Sequence, residues 1–135
     1  MNVEFYQEGF VEDKEIESLR ASVRWDNTIP PHSELKEHLF TYLTARINGE
    51  LIGYIDVLSD GSVDAYIQSL IVHPKYQKRG IGSELLKRII IYLQQKNIKS
   101  IQVIFDPELE GFYKKFGFHI LKAGIIDRDT MKIEL

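Results

Sequence analysis

A glutamine, two bases and two glycines, Gln77-Lys78-Arg79-Gly80-Ile81-Gly82, stand between an apolar run ending in Leu70-Ile71-Val72 and a stretch from Ser83 whose apolar residues recur at helical spacing. Glycines at a strand-to-helix junction let the backbone turn its N–H groups toward a ligand. The first unpaired N–H groups of the helix then attract an anion. Phosphate is the guest that suits such a loop. A Walker A loop needs G-x-x-x-x-G-K-[ST], which is absent here. A dinucleotide fingerprint needs a third glycine where this chain has Leu85. Q-K-R-G-I-G is the pattern that survives.

Positioning that loop requires a strand before it and a helix after it. "NVEFY" reads as a first strand, and Ile16, Leu19 and Val23 mark a helix from about Glu12 to Arg24. Asp26-Asn27 and Pro30-Pro31 signal turns before a short helix at Glu34 to Leu39. "TYLTARI" and "LIGYIDVLS" alternate in strand fashion on either side of Asn48-Gly49, a strong hairpin signal, and "DAYIQSLIV" follows through Asp60-Gly61 as a third antiparallel strand. A helix from Ile81 to Gln95 carries Ile81, Leu85, Leu86, Ile89, Ile90 and Leu93 on one face, and the β-branched strand "SIQVIF" comes next. A strand, helix, strand order of this kind favours parallel pairing through a right-handed crossover. "PELEGFYKKF" reads as a short helix, and "GFHIL" and "DTMKIEL" as two last strands.

At 135 residues with 44% hydrophobic composition, the chain predicts one domain over residues 1–135. The absence of cysteine rules out disulfides, thiolate metal sites and a cysteine nucleophile, and suits a reducing cytoplasmic setting. No apolar window of membrane-spanning length occurs, and the N-terminus lacks the pattern of a signal peptide. A net charge of −3 gives no overall pull toward nucleic acid. His32, His38, His73 and His119 show no metal-ligand spacing, so no metal is expected. Trp25, the one tryptophan, reads as packing at a helix end.

Gln77-Lys78-Arg79-Gly80-Ile81-Gly82 resembles the [QR]-x-x-G-x-[GA] acyl-CoA loop of the GNAT acetyltransferase superfamily, and "FYKKFGF" at 112–118 resembles that superfamily's later aromatic segment. The two segments stand in the family's order, separated by a helix and a strand and preceded by an antiparallel meander. The resemblance implies a mixed α/β fold, a mostly antiparallel sheet with one parallel crossover and flanking helices. It also implies acetyl-CoA as acyl donor and the amine of a small molecule or an exposed protein amine as acceptor. By the same resemblance, Leu70, Ile71 and Val72 offer backbone groups to the pantetheine arm, with one N–H near the strand end stabilising the negative oxygen of acyl transfer. Gln77, Lys78, Arg79, Gly80, Ile81, Gly82 and Ser83 bind the pyrophosphate, and Tyr113, a phenol of ordinary pKa near 10, protonates the departing thiolate.

Two positions depart from the family pattern. Asp106 stands where many relatives have an asparagine, and an ionised carboxylate cannot donate a hydrogen bond. Gln68 stands where some relatives have a glutamate base, which leaves Asp56, Asp64, His73 or water for that role. A non-catalytic acyl-CoA-binding regulatory module and an unrelated nucleotide-phosphate binder are the competing readings. Homodimerisation, common in such families, is left open by the sequence.

Overall fold

The computed structural model describes residues 2–25 and 28–134, so the turn expected at Asp26-Asn27 lies outside the described residues. The chain divides into two compact units, residues 1–103 and 104–135.

In the first unit the hairpin joins β2 (Thr41–Ile47) to β3 (Glu50–Ser59). Asn48 and Gly49 both have positive φ, 49° and 82°, the conformation whose twist matches that of paired strands. β4 (Asp64–Val72) continues the meander after a turn in which Asp60 Oδ1 accepts from the amides of Ser62 and Val63 at 2.9 and 2.8 Å. β1 (Glu4–Gln7) pairs antiparallel with β2, and β5 (Ser100–Val103) pairs parallel with β4. The strands therefore lie in chain order in a mixed sheet with one parallel step, as expected.

Helices cover both faces of this sheet. α1 (Asp13–Ser22) starts at a capping box between Glu12 and Glu15 and lays Ile16 and Leu19 against Tyr42, Tyr54 and Ile71. Pro31 caps α2 (His32–Leu35), which runs into a 3₁₀ turn at Lys36–His38. The helix predicted at 34–39 thus begins two residues early, where Ser33 donates its amide and its hydroxyl to Asp13, at 2.9 and 2.8 Å. α3 (Ile81–Gln95) has the bounds expected from its apolar stripe, with Leu85, Leu86, Ile89 and Leu93 fully buried. Strand alternation sorts the two faces. A Cβ on Gly53 would lie 3.0 Å from Leu85 Cδ1 of α3, whereas the next residue, Tyr54, packs with α1.

One irregularity shapes everything that follows. Asp56 faces Ser69 across the β3–β4 ladder, but Val57 faces Ile67, so Gln68 is an extra residue on β4 and forms a bulge. β5 pairs with β4 only from Asp64 to Ile67.

The second unit holds a 3₁₀ turn at Pro107–Leu109 and α4 (Glu110–Lys114). The predicted strands "GFHIL" and "DTMKIEL" are not formed: residues 118–134 carry no strand, and their one turn places the Thr130 amide 3.0 Å from the Asp127 carbonyl. Leu121, Ile125, Met131 and Ile133 stand exposed. Apolar alternation yields a strand only where a neighbour supplies the ladder, and among the described residues no strand pairing involves this stretch.

Candidate active site

The predicted phosphate loop is built from the end of β4 outward. Gln77 Nε2 donates to the Val72 carbonyl at 2.8 Å, which ties the loop back to the strand. Lys78 and Gly80 then take left-handed conformations, φ 63° and 84°, and Gly80 is the N-cap of α3. A left-handed residue followed by right-handed Ile81 aims successive N–H groups into one concavity. The first backbone bond of the helix runs from Glu84 N to Gly80 O, 3.0 Å, so the amides of Ile81, Gly82 and Ser83 precede the helical ladder. Glycine at position 80 supplies no capping side chain, and a Cβ built there would meet nothing within 4 Å. Gln77, Lys78 and Arg79 are exposed, whereas the Ile81 side chain is buried and anchors the helix from below. Lys75 and Arg79 both lie over the Tyr76 ring, 5.6 and 5.8 Å from its centroid, and concentrate positive charge beside the loop.

Within the first unit, among the described residues, the strand leading into the loop has no strand partner on its outer side beyond Ile67. His73 N donates to Ile52 O at 2.9 Å, which sets the phase of the β3–β4 ladder. Alternation then turns the backbone groups of Ile71 toward Tyr54 on β3, and those of Leu70 and Val72 away from it. On that outer side the partner strand stops opposite Ile67. Of the three strand residues expected at the site, Leu70 and Val72 present backbone groups to the open edge, and Ile71 contributes a buried side chain.

On the α1 face of the sheet lies a cavity of about 90 Å³. Ile16, Leu35 and Leu58 give it apolar walls, and His32, Asp56 and Gln68 bring polar atoms to it. Tyr54 lies between the histidine and the carboxylate: its hydroxyl donates to Asp56 Oδ2 at 2.9 Å, and His32 Nε2 is 3.1 Å from the Tyr54 hydroxyl oxygen. Because the one phenolic hydrogen is committed to Asp56, Tyr54 accepts from an Nε2–H, and His32 Nδ1 is an acceptor. Burial, together with the Lys36 charge, pushes the His32 pKa down and favours that neutral ring. Burial pushes Asp56 up to about 6, although hydrogen bonding from Tyr54 and Ser69 works in the other direction. Burial and the adjacent Asp56 charge hold the Tyr54 phenol well above the usual tyrosine range. Asp56 Oδ1 and His32 Nδ1 are buried without a hydrogen-bond partner.

The structure separates the three side chains left open as the base. Asp64 is exposed and accepts from Gln102 Nε2 at 3.0 Å, and His73 Nδ1 accepts from the Lys75 amide at 3.1 Å. Asp56 alone of the three is buried and lines the cavity. Tyr54 and His32 were not singled out as site residues by the sequence. Their one signal is the spacing Ile52, Tyr54, Asp56, which puts a carboxylate on the core side of an otherwise apolar strand. Trp25 follows the end of α1 with the Arg20 guanidinium 5.3 Å over its ring, consistent with helix-end packing.

In the second unit Tyr113 is buried on α4, stacked on Phe105 with centroids 4.6 Å apart and met edge-on by Phe112 and Phe118. Burial raises its pKa and keeps the phenol protonated. Asp106 is exposed at the head of the 3₁₀ turn. Among the described residues no cluster could hold a metal ion, and no helix is long and apolar enough to cross a membrane.

Comparison with known proteins gives consistent results. An uncharacterized N-acetyltransferase, ycf52, of Gracilaria tenuistipitata var. liui is 37% identical over 82 residues, 61% of this chain and 42% of that protein. The match thus spans about 30–42% of the length of the curated relatives. A probable acetyltransferase from Staphylococcus aureus superposes with a TM-score of 0.80 at 19% identity, covering 94% of this chain and 99% of the other. AAC(6')-Iy, solved in complex with the bisubstrate analog CoA-S-monomethyl-acetylneamine, gives 0.71 at 17% identity over 95% and 98% of the two chains. These two likenesses establish the fold. The profile of the acetyltransferase (GNAT) family matches residues 2–118, from the first strand through the aromatic segment, and the chain belongs to that family.

Proposed function

We propose that the protein transfers an acetyl group from acetyl-CoA to an amine, carried by a small molecule or exposed on a protein. The observation that carries this reading is the continuity of the open β4 edge, Gln68 to Val72, with the uncapped N-terminus of α3 at Gly80. An extended pantetheine arm suits such an edge because backbone groups at Leu70 and Val72 are turned outward, as they would be toward an added strand. A pyrophosphate suits the helix end, where the amides of Ile81, Gly82 and Ser83 face no acceptor of the helix's own. When bound, acetyl-CoA supplies a thioester carbonyl open to attack.

The residues divide the remaining work. An N–H at the end of β4 stabilises the oxygen that becomes negative as the amine nitrogen forms its bond to the carbonyl carbon. The carbon–sulfur bond then breaks, and Tyr113 gives its phenolic proton to the leaving sulfur. Asp56 has the best support as base: its carboxylate is buried in the cavity with a pKa pushed to about 6, so it is ionised at neutral pH and basic enough to take the amine's surplus proton. A water chain is the alternative carrier. The family match crosses the boundary between the two units, which supports reading residues 1–135 as one catalytic domain.

Calorimetric titration of the full chain with acetyl-CoA and with ATP, followed by an amine screen monitored by free CoA release, tests the proposal. Saturable binding of acetyl-CoA, tighter than that of ATP, with amine-dependent CoA release supports it. Absence of binding at millimolar acetyl-CoA overturns it, and binding with no release under any amine leaves a regulatory acyl-CoA-binding module instead.

A further inference from the structure

Three buried side chains beside α1 are joined in one line of hydrogen bonds, His32 Nε2 to the Tyr54 hydroxyl at 3.1 Å and that hydroxyl to Asp56 Oδ2 at 2.9 Å. The His32 ring meets Tyr42 and Tyr54 edge-on, with centroids 4.8 and 5.5 Å away, which keeps Nε2 on the phenol. The next residue, Ser33, is bonded through its amide and its hydroxyl to Asp13 of α1, so the start of α2 is held as well. A proton taken up by Asp56 must be passed on before the next turnover, and this line leads away from it.

A hydroxyl has one hydrogen to give, and that fixes the direction of the line. With Asp56 ionised, the phenolic hydrogen goes to Oδ2, the Nε2 hydrogen goes to the phenol, and Nδ1 is bare. Asp56 Oδ1 and His32 Nδ1 are the two buried ends, each without a hydrogen-bond partner among the described residues. When Asp56 is protonated, a hydrogen on Oδ1 would leave one unmet donor; a hydrogen on Oδ2, with both bonds reversed, leaves one unmet donor at Nδ1 instead. The number of unmet atoms is equal, so donor and acceptor strength decides. The reversed line puts the strongest acid, the carboxyl, at its head and the most basic acceptor, an imidazole nitrogen, at its tail. Protonated Asp56 therefore donates to Tyr54, Tyr54 donates to Nε2, and the ring carries its hydrogen on Nδ1.

We infer that Tyr54 and His32 are positioning residues that discharge Asp56, whose proton leaves the line at His32 Nδ1. The inference rests on the reading of Asp56 as base. From the protonated arrangement, water takes the Nδ1 hydrogen, the phenolic hydrogen moves to Nε2, and the carboxyl hydrogen moves to the phenol oxygen. One proton has left, Asp56 is again a carboxylate, and both other groups are neutral. Tyr54, its phenol held well above the tyrosine range, hands on one hydrogen as it takes another and is never ionised. Burial and the Lys36 charge keep the His32 ring neutral, against the pull of Asp13, so it works through its two tautomers. Arg20 and the bonds from Ser69 favour the Asp56 anion to which the line returns, and Glu17 and His38 complete the titratable lining of the cavity.

Nitrogen-15 nuclear magnetic resonance of the histidine rings in the full chain, with His32 identified by its loss in His32→Gln, tests the line without acetyl-CoA. The His32 hydrogen is expected on Nε2 at about pH 8 and on Nδ1 at about pH 5, changing where the Asp56 carboxyl carbon titrates. In Asp56→Asn and in Tyr54→Phe the ring should cease to change tautomer over that range. One unchanging tautomer in the wild type, or a change that survives in Asp56→Asn, overturns the inference. In the CoA-release assay, Tyr54→Phe and His32→Gln, their folds checked by near-ultraviolet circular dichroism, are expected to lower kcat/KM for the amine by about tenfold or more with acetyl-CoA affinity unchanged. Full activity in both variants also overturns it. Linked titration with no CoA release under any amine sustains the line and removes the acetyl-transfer reading; CoA release from a chain whose His32 ring ignores Asp56 removes the line and leaves acetyl transfer standing.

Discussion

Tyr54 donates its hydroxyl hydrogen across 2.9 Å to Asp56, two residues along β3, and so holds a buried carboxylate against the cavity wall. Burial raises the Asp56 pKa from its ordinary 3.8 to about 6. Between those values the folded chain keeps a proton that the unfolded chain has lost, so this group's contribution to stability falls as pH rises from about 4 to 6 and stays low above it. At 1.36 kcal/mol per pKa unit the loss is about 3 kcal/mol. We predict that Asp56→Asn, which cannot ionise, matches the wild type in urea unfolding near pH 4 and exceeds it by about 2–3 kcal/mol at pH 8. A difference that does not change between pH 4 and 8 removes this account of the carboxylate.

Gly82 and Gly80 separate folding from binding. A Cβ at Gly82 would lie 3.6 Å from Val72 Cγ2, an ordinary contact, on a residue of right-handed helix. Gly82→Ala is therefore expected to leave the melting temperature unchanged or slightly raised, while weakening acetyl-CoA binding by about tenfold or more if phosphate approaches this backbone closely. Gly80→Ala would meet nothing within 4 Å but has φ 84°, and is expected to cost about 1 kcal/mol of stability besides. Calorimetry with acetyl-CoA on Gly82→Ala decides the point: unaltered affinity would move the pyrophosphate away from this helix end.

Phenylalanine preserves the stack of residue 113 on Phe105 and its edge contacts, so Tyr113→Phe is expected to fold with native stability. Loss of a positioned acid lowers turnover by about 10²- to 10⁴-fold with acetyl-CoA affinity nearly intact. Turnover equal to the wild type would assign Tyr113 to the aromatic core alone.

Arg46 ties β2 to α1. Its guanidinium grips Glu15 at 2.7 and 2.9 Å and also donates to the carbonyls of Phe10 and Gly49 at 2.8 Å each. Arg46→Met is expected to cost about 2–3 kcal/mol in urea unfolding at pH 7, because several charged hydrogen bonds are lost at a half-buried site. Hydrogen bonding from Arg46 lowers the Glu15 pKa, so this pair's contribution is present above the ordinary glutamate pKa and lost as pH falls through the lowered one. The gap between variant and wild type should accordingly narrow in acid; a gap that persists unchanged at pH 2 would assign the effect to the bonds to the Phe10 and Gly49 carbonyls, which do not titrate.

What the sequence determined by itself was local. The Asn48-Gly49 hairpin, the bounds of α3 and the loop from Gln77 to Ser83 follow from φ preferences, helical periodicity and the glycine positions, all set by residues within one or two turns of each other. Tertiary structure decided the rest. No periodicity reveals that Gln68 is a bulge, because that depends on how β3 and β4 settle their register. The meeting of His32 with Tyr54 and Asp56 spans more than twenty positions, and whether such groups end up solvated or buried without partners depends on what packs over them. "GFHIL" and "DTMKIEL" show the same division from the other side: their alternation is written in the sequence, but a strand exists only where a neighbouring backbone completes its hydrogen bonds, and no run of side chains encodes that neighbour.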